Sequence, residues 1–249
     1  MAQDGFSKVQ RRSRKAFKPI SLFDKLANRQ KDLEQTAFLE ACDDIWKQSR
    51  ESMPEHYRPT RLVCLALGSF QQTWQTQHQL LLLNHLVKKL DISSEHVSVA
   101  DPVFEEEDLA YLREQGFTAS VSSNGLLDAC QEPTLYYLPH APRWLCEKLL
   151  VNNADTLSSG RACILGNDFA HYDSYIKKKD QEEIPAILRM SQTFKSLPLP
   201  RSINKDDQLY EAFHALSLQW VQPPASREGQ AGTAVEAIIE GASKLSTDP

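Results

Sequence analysis

The chain has 249 residues, of which 41% are hydrophobic, with a net charge of -5. That length holds one large α/β domain or two small ones with a proper core. The charge argues against a nucleic-acid coat, and no run approaches the ~18 apolar residues of a membrane span.

Residues 1–18 carry Lys8, Arg11, Arg12, Arg14, Lys15 and Lys18 against Asp4 alone, so a basic arm precedes an acidic body. Such a run reads first as a solvated, disordered tail. Nuclear import or an RNA contact is the sharper reading, and nucleic acid would be met only through this arm. The arm is polar and then basic, so no secretion signal is expected. Cys42, Cys64, Cys130, Cys146 and Cys163 are odd in number and contain no C-x-x-C pair, which fits a reducing compartment and disfavours a thiolate zinc site.

From Ser21, a candidate cap, Leu22, Leu26, Leu33, Ala37, Ala41 and Ile45 recur at helical spacings. They predict a long amphipathic helix with a possible break near Asn28, ending before Pro54. After it, strands and helices alternate. "RLVCLALG" (61–68) reads as a strand and "QTQHQLLLLNHLVKKL" (75–90) as a helix. "HVSVADP" (96–102) is a strand, and "EEEDLAYLREQG" (105–116) is a helix with acids in its first turn and Gly116 as its stop. "FTASVS" (117–122) is a strand, "GLLDAC" (125–130) a short helix and "PTLYYLPH" (133–140) a strand. "PRWLCEKLLVNN" (142–153) is a helix and "RACILGND" (161–168) a fifth strand. Residues 182–194 suggest a helix despite Pro185. Residues 208–221 fit helix, strand, or one followed by the other.

Alternation of this kind predicts a Rossmann-like three-layer α/β fold with a mostly parallel sheet of about five strands, plus the N-terminal amphipathic helix. The expected organisation is a basic disordered arm (1–19), a helical segment (20–58), an α/β domain (59–221) and a flexible tail (222–249), within which 234–245 could form a short helix.

Open parallel sheets bind ligands beyond the carboxyl ends of their strands. Those ends supply Gly68-Ser69, Asp101, Ser122-Ser123-Asn124, Pro139-His140 and Gly166-Asn167-Asp168. Gly68 lets the backbone turn tightly before a helix start that attracts anions. There is no G-x-G-x-x-G and no Walker lysine, so a plain turn explains it equally well. Asp101 could receive ribose hydroxyls; a turn with a capping carboxylate is the plainer reading. His140 could titrate near neutral pH and is the best candidate for acid–base work. Gly166-Asn167 reads simply as a turn. Asp101, His140, Asp168 and His171 suit a metal by residue type, but no spacing demands one. A Ser69–His140–Asp168 hydrolase lacks G-x-S-x-G. The expected ligand-binding set is therefore Gly68, Ser69, Asp101, His140 and Asn167, with no metal and no cofactor named.

The same segments resemble a known family. Gly68-Ser69, then Gln79-Leu80, Asp101-Pro102-Val103-Phe104, Pro139-His140, Leu149, Leu150 and Asn152, and Gly166-Asn167 occur in the order of the sensitivity-to-red-light-reduced family, the SRR-like domain. The likeness covers roughly residues 60–175. It implies a regulatory protein, cytoplasmic or nuclear, of a family tied to circadian and light signalling, haem-biosynthesis regulation and microtubule-related processes. It brings no agreed reaction or cofactor. The function expected is a regulatory module binding a small molecule or a protein partner. The alternative is an enzyme using a nucleotide or S-adenosylmethionine at the carboxyl edge.

Overall fold

The computed structural model describes residues 20–53, 57–172, 176–200 and 208–222. The whole of the expected basic arm (1–19), and the expected C-terminal tail beyond residue 222, lie outside the described residues.

Two helices open the fold, α1 (Leu22–Glu34) and α2 (Phe38–Arg50). Ser21 caps α1, its Oγ accepting from Asp24 N. The helical pattern runs through Asn28 and breaks instead at Gln35–Ala37. Thr36 makes the break: its Oγ1 donates to Leu33 O and accepts from Phe38 N, closing one helix and opening the next.

Parallel strands follow: β1 (Arg61–Leu65), β2 (Val97–Ala100), β3 (Thr118–Ser120), β4 (Thr134–Leu138) and β5 (Ala162–Asn167). The helices α3 (Trp74–Lys89), α4 (Glu106–Glu114), α5 (Arg143–Asn152) and α6 (Ala154–Ser158) lie between them. Beyond β5 come α7 (Lys178–Gln181), α8 (Pro185–Ser191), β6 (Phe194–Pro198), α9 (Gln208–Phe213) and β7 (Leu216–Val221). The sheet has seven strands in the order β3-β2-β1-β4-β5-β7-β6, and β7 runs antiparallel to both neighbours. Residues 208–221 are thus a helix followed by a strand, and the sheet exceeds the expected five by two.

Residues 125–130 are not a helix. Side chains serve their backbone instead: Asn153 Nδ2 donates to Leu127 O, Asn153 Oδ1 accepts from Cys130 N, and Thr156 Oγ1 donates to Cys130 O.

Strand side chains alternate between two cores. Leu62, Cys64, Val97, Val99, Leu135, Tyr137, Cys163 and Leu165 face the layer of α1 to α4. Val63, Leu65, Tyr136, Leu138, Ala162 and Ile164 face α5, α6 and α8. Leu80, Leu82 and Leu83 of α3 are fully buried, and each contributes roughly 1.5–3 kcal/mol relative to exposure. Among the described residues, no helix is long and apolar enough to cross a membrane.

Candidate functional site

The sheet order reverses between β1 and β4, whose leading connections pass to opposite faces. This is the switch point at which doubly wound sheets open a crevice at their carboxyl edge.

Both strands bordering that crevice end in left-handed backbone. Ala66, just past β1, has φ 59°, and His140, just past β4, has φ 51°. A side chain in this region costs roughly 1–2 kcal/mol, which glycine would avoid. Asp91 and Ala215, the other non-glycine residues with positive φ among the described residues, each follow a helix end, where such a residue is an ordinary stop. Ala66 and His140 have no such explanation.

On the β1–β2 side the site residues are tied together. Asp101 is buried, and its Oδ2 accepts from Gly68 N at 2.8 Å while Oδ1 accepts from Val103 N at 2.9 Å. Gly68 has φ 77°, and a Cβ there would meet Thr76 Cγ2 at 2.9 Å. Ser69 is buried; its Oγ accepts from Gln71 N and its carbonyl accepts from Thr76 Oγ1. This turn is clamped to the end of β2 by the protein's own groups.

On the β4–β5 side, Asn167 Nδ2 donates to Ala141 O at 2.8 Å and to Tyr172 Oη at 3.2 Å. His140 is exposed on one side, and its Nε2–H donates to Ala212 O at 3.2 Å. Gln79 Nε2 donates to the same carbonyl at 3.0 Å, so α9 is pinned to both α3 and the end of β4. The His140 ring lies 4.9 Å from that of His214, which stacks in turn on Tyr210 at 5.3 Å. The pKa of His140 is lowered, first by partial burial and then by repulsion from His214, against the pull of the Ala212 carbonyl. The neutral ring is therefore favoured, as a hydrogen-bonding or proton-accepting group requires.

Among the described residues no hydrogen bond joins Gly68, Ser69 or Asp101 to His140 or Asn167; they stand on opposite flanks of the crevice. Asp168 turns away to its own loop and to β6, with Oδ1 accepting from Ala170 N and Ser196 Oγ. Among the described residues no three His, Cys, Asp or Glu side chains come together as a metal set. The edge also carries exposed apolar side chains: Val103 past β2, Val121 past β3 and Trp144 in the first turn of α5.

Sequence reasoning missed His214 and Tyr210. Both lie in the stretch whose secondary structure was ambiguous, so nothing placed them near β4. Ala66 was also missed, because an alanine gives no sign of positive φ.

The SRR1 domain family model matches residues 22–220, taking in α1 and α2 as well as the sheet. The chain is 29% identical over 147 residues to an SRR1-like protein of Mus musculus, covering 57% of this chain and 58% of the relative. It is 32% identical over 110 residues to an SRR1-like protein of Drosophila melanogaster, covering 44% and 39%. It is 24% identical over 155 residues to the Arabidopsis thaliana protein Sensitivity to Red Light Reduced 1, covering 62% and 56%. The matches thus span less than two thirds of each of these relatives' own lengths. With four fifths of its length inside one domain match, the chain belongs to the SRR1 domain family.

Proposed function

We propose that this chain is a regulatory module that binds a small molecule or a protein partner in the crevice between β1 and β4. The observation that carries the reading is the pair of left-handed residues, Ala66 and His140, one at the end of each bordering strand. Strained backbone persists where surrounding structure enforces it, and it gathers at binding sites. Gly68, Ser69 and Asp101 form the fixed wall. His140 and Asn167 form the wall that meets the ligand, with His140 as the best acid–base candidate. Exposed Val103, Val121 and Trp144 add apolar surface for a partner.

A regulatory role draws on the family, since the Arabidopsis relative is named for a reduced sensitivity to red light. A cytoplasmic or nuclear setting draws on the free cysteines, of which Cys42, Cys64, Cys146 and Cys163 are buried.

The experiment is a thermal-shift screen of the protein against nucleotides, S-adenosylmethionine and haem, repeated with His140→Ala and Asn167→Ala. A compound that binds only the folded state raises the melting temperature. The reading expects at least one such compound, with the shift lost in both variants. A shift that survives both substitutions overturns the assignment.

A further inference from the structure

We propose that His140 and His214 together hold a divalent transition metal, with zinc as the simplest case, at the β4 flank of the crevice. The inference deepens the crevice reading and takes its place from it. Metal binding is measured without any crevice ligand, so either can fail while the other stands.

The two rings are tied down in the same way. His140 Nε2 lies 3.2 Å from Ala212 O, and His214 Nδ1 lies 3.2 Å from Glu211 O. A carbonyl only accepts, so each of these nitrogens carries the ring proton. In the neutral rings the lone pairs therefore belong to His140 Nδ1 and His214 Nε2. Among the described residues neither of these two nitrogens takes part in a hydrogen bond. A ring N–H given to a backbone carbonyl, with the opposite nitrogen kept as a lone pair, is the usual state of a metal-bound histidine. The carbonyl fixes both the tautomer and the orientation of the ring.

The spacing fits one shared ion. The ring centroids are 4.9 Å apart, with the planes at 35°. Two imidazoles on one tetrahedral zinc stand roughly 5 Å apart, given Zn–N bonds of about 2.0–2.1 Å. Both tied nitrogens face carbonyls of consecutive residues at the end of α9, so both lone pairs belong to the far sides of their rings. The supports are themselves fixed. Ala212 O also accepts from Gln79 Nε2 at 3.0 Å, and Tyr210 stacks on the His214 ring at 5.3 Å and 13°. The left-handed backbone of His140, at φ 51°, is strain of the kind that gathers at ligand-holding residues.

The donors select the class of ion. Imidazole nitrogen suits zinc, nickel and copper, whereas magnesium and calcium take oxygen. Among the described residues no third His, Cys, Asp or Glu side chain joins the pair. The remaining positions of the ion would face water or a crevice ligand, which could then bind the metal directly.

Isothermal titration of the full chain with zinc chloride tests this, with magnesium chloride as a separate arm. Zinc is expected to bind and magnesium to give no response. His214→Ala, at an exposed position, and His140→Asn, a residue that accepts left-handed backbone, should each weaken zinc by about tenfold or more. If His140→Asn fails to fold, His214→Ala decides. Nitrogen NMR of the imidazoles reads the site itself: zinc should shift His140 Nδ1 and His214 Nε2 and leave the other two nitrogens protonated. Absence of zinc binding at roughly 0.1 mM overturns the proposal. So does zinc affinity unchanged by these substitutions, a shift confined to other histidines, or magnesium binding as tightly as zinc.

Discussion

The two flanks of the crevice use similar residues for different ends. Beside β1 and β2, Asp101 is buried and gives an oxygen each to Gly68 N and Val103 N. Beside β4 and β5, His140 keeps one side in solvent, and its contact across the edge is a single 3.2 Å bond plus a ring pair. The first flank is a clamp that sets the shape of the edge. The second makes fewer bonds across the edge, which is what the proposed ligand contact needs. A charged residue at a strand end is therefore not in itself a ligand contact; what matters is whether its bonding capacity is already filled by backbone.

Breaking the clamp should have the largest effect. Asp101→Ala removes two bonds to a carboxylate and leaves two N–H groups without acceptors. A loss of roughly 3 kcal/mol is expected from the usual worth of such bonds, read by urea denaturation. A change below about 1 kcal/mol, the worth of an ordinary hydrogen bond, would show that the clamp is not structural. Gly68→Ala should cost somewhat less, roughly 1–3 kcal/mol, from left-handed backbone and the clash with Thr76. Wild-type stability in that variant would mean that the turn readily adopts another conformation.

A smaller effect separates the flanks by pH. The folded protein holds His140 below its ordinary value of 6.5. As pH falls, the unfolded chain takes up this proton first. The contribution of the neutral ring is therefore complete above about pH 6.5 and is lost as pH drops through the lower folded value. The melting temperature should fall between pH 7.5 and 5.5, and His140→Gln should shrink that fall. An identical pH dependence in the variant would remove His140 from the account.

The central sheet was legible because β1, β2, β4 and β5 are buried on both faces and read as continuous apolar runs. Ser21 and Gly116 marked helix ends by residue type, and both stand there. The strand β6 was not legible, and β7 was one of three readings left open for residues 208–221. β7 carries fully buried Ser217 and Gln219 among its apolar residues, and its partner β5 lies some fifty residues earlier. Gln219 explains its own burial: its Oε1 accepts from Phe169 N and its Nε2 donates to Asn167 O, fixing the loop after β5. Of the candidate site, the sequence places five residues at one edge, but not the division between them. That division depends on which backbone N–H groups meet the Asp101 carboxylate and on α9 crossing to His140, neither of which has a local signal.

The most direct test of this division is native-state amide hydrogen exchange of the free protein, read at Gly68. Its N–H is given to the buried Asp101 carboxylate. It should therefore exchange as slowly as the amides of β1 and β4, opening only with larger unfolding of the sheet. A Gly68 amide that exchanges like an exposed loop, and slows only when a ligand is added, would contradict the account and make the turn itself the ligand contact.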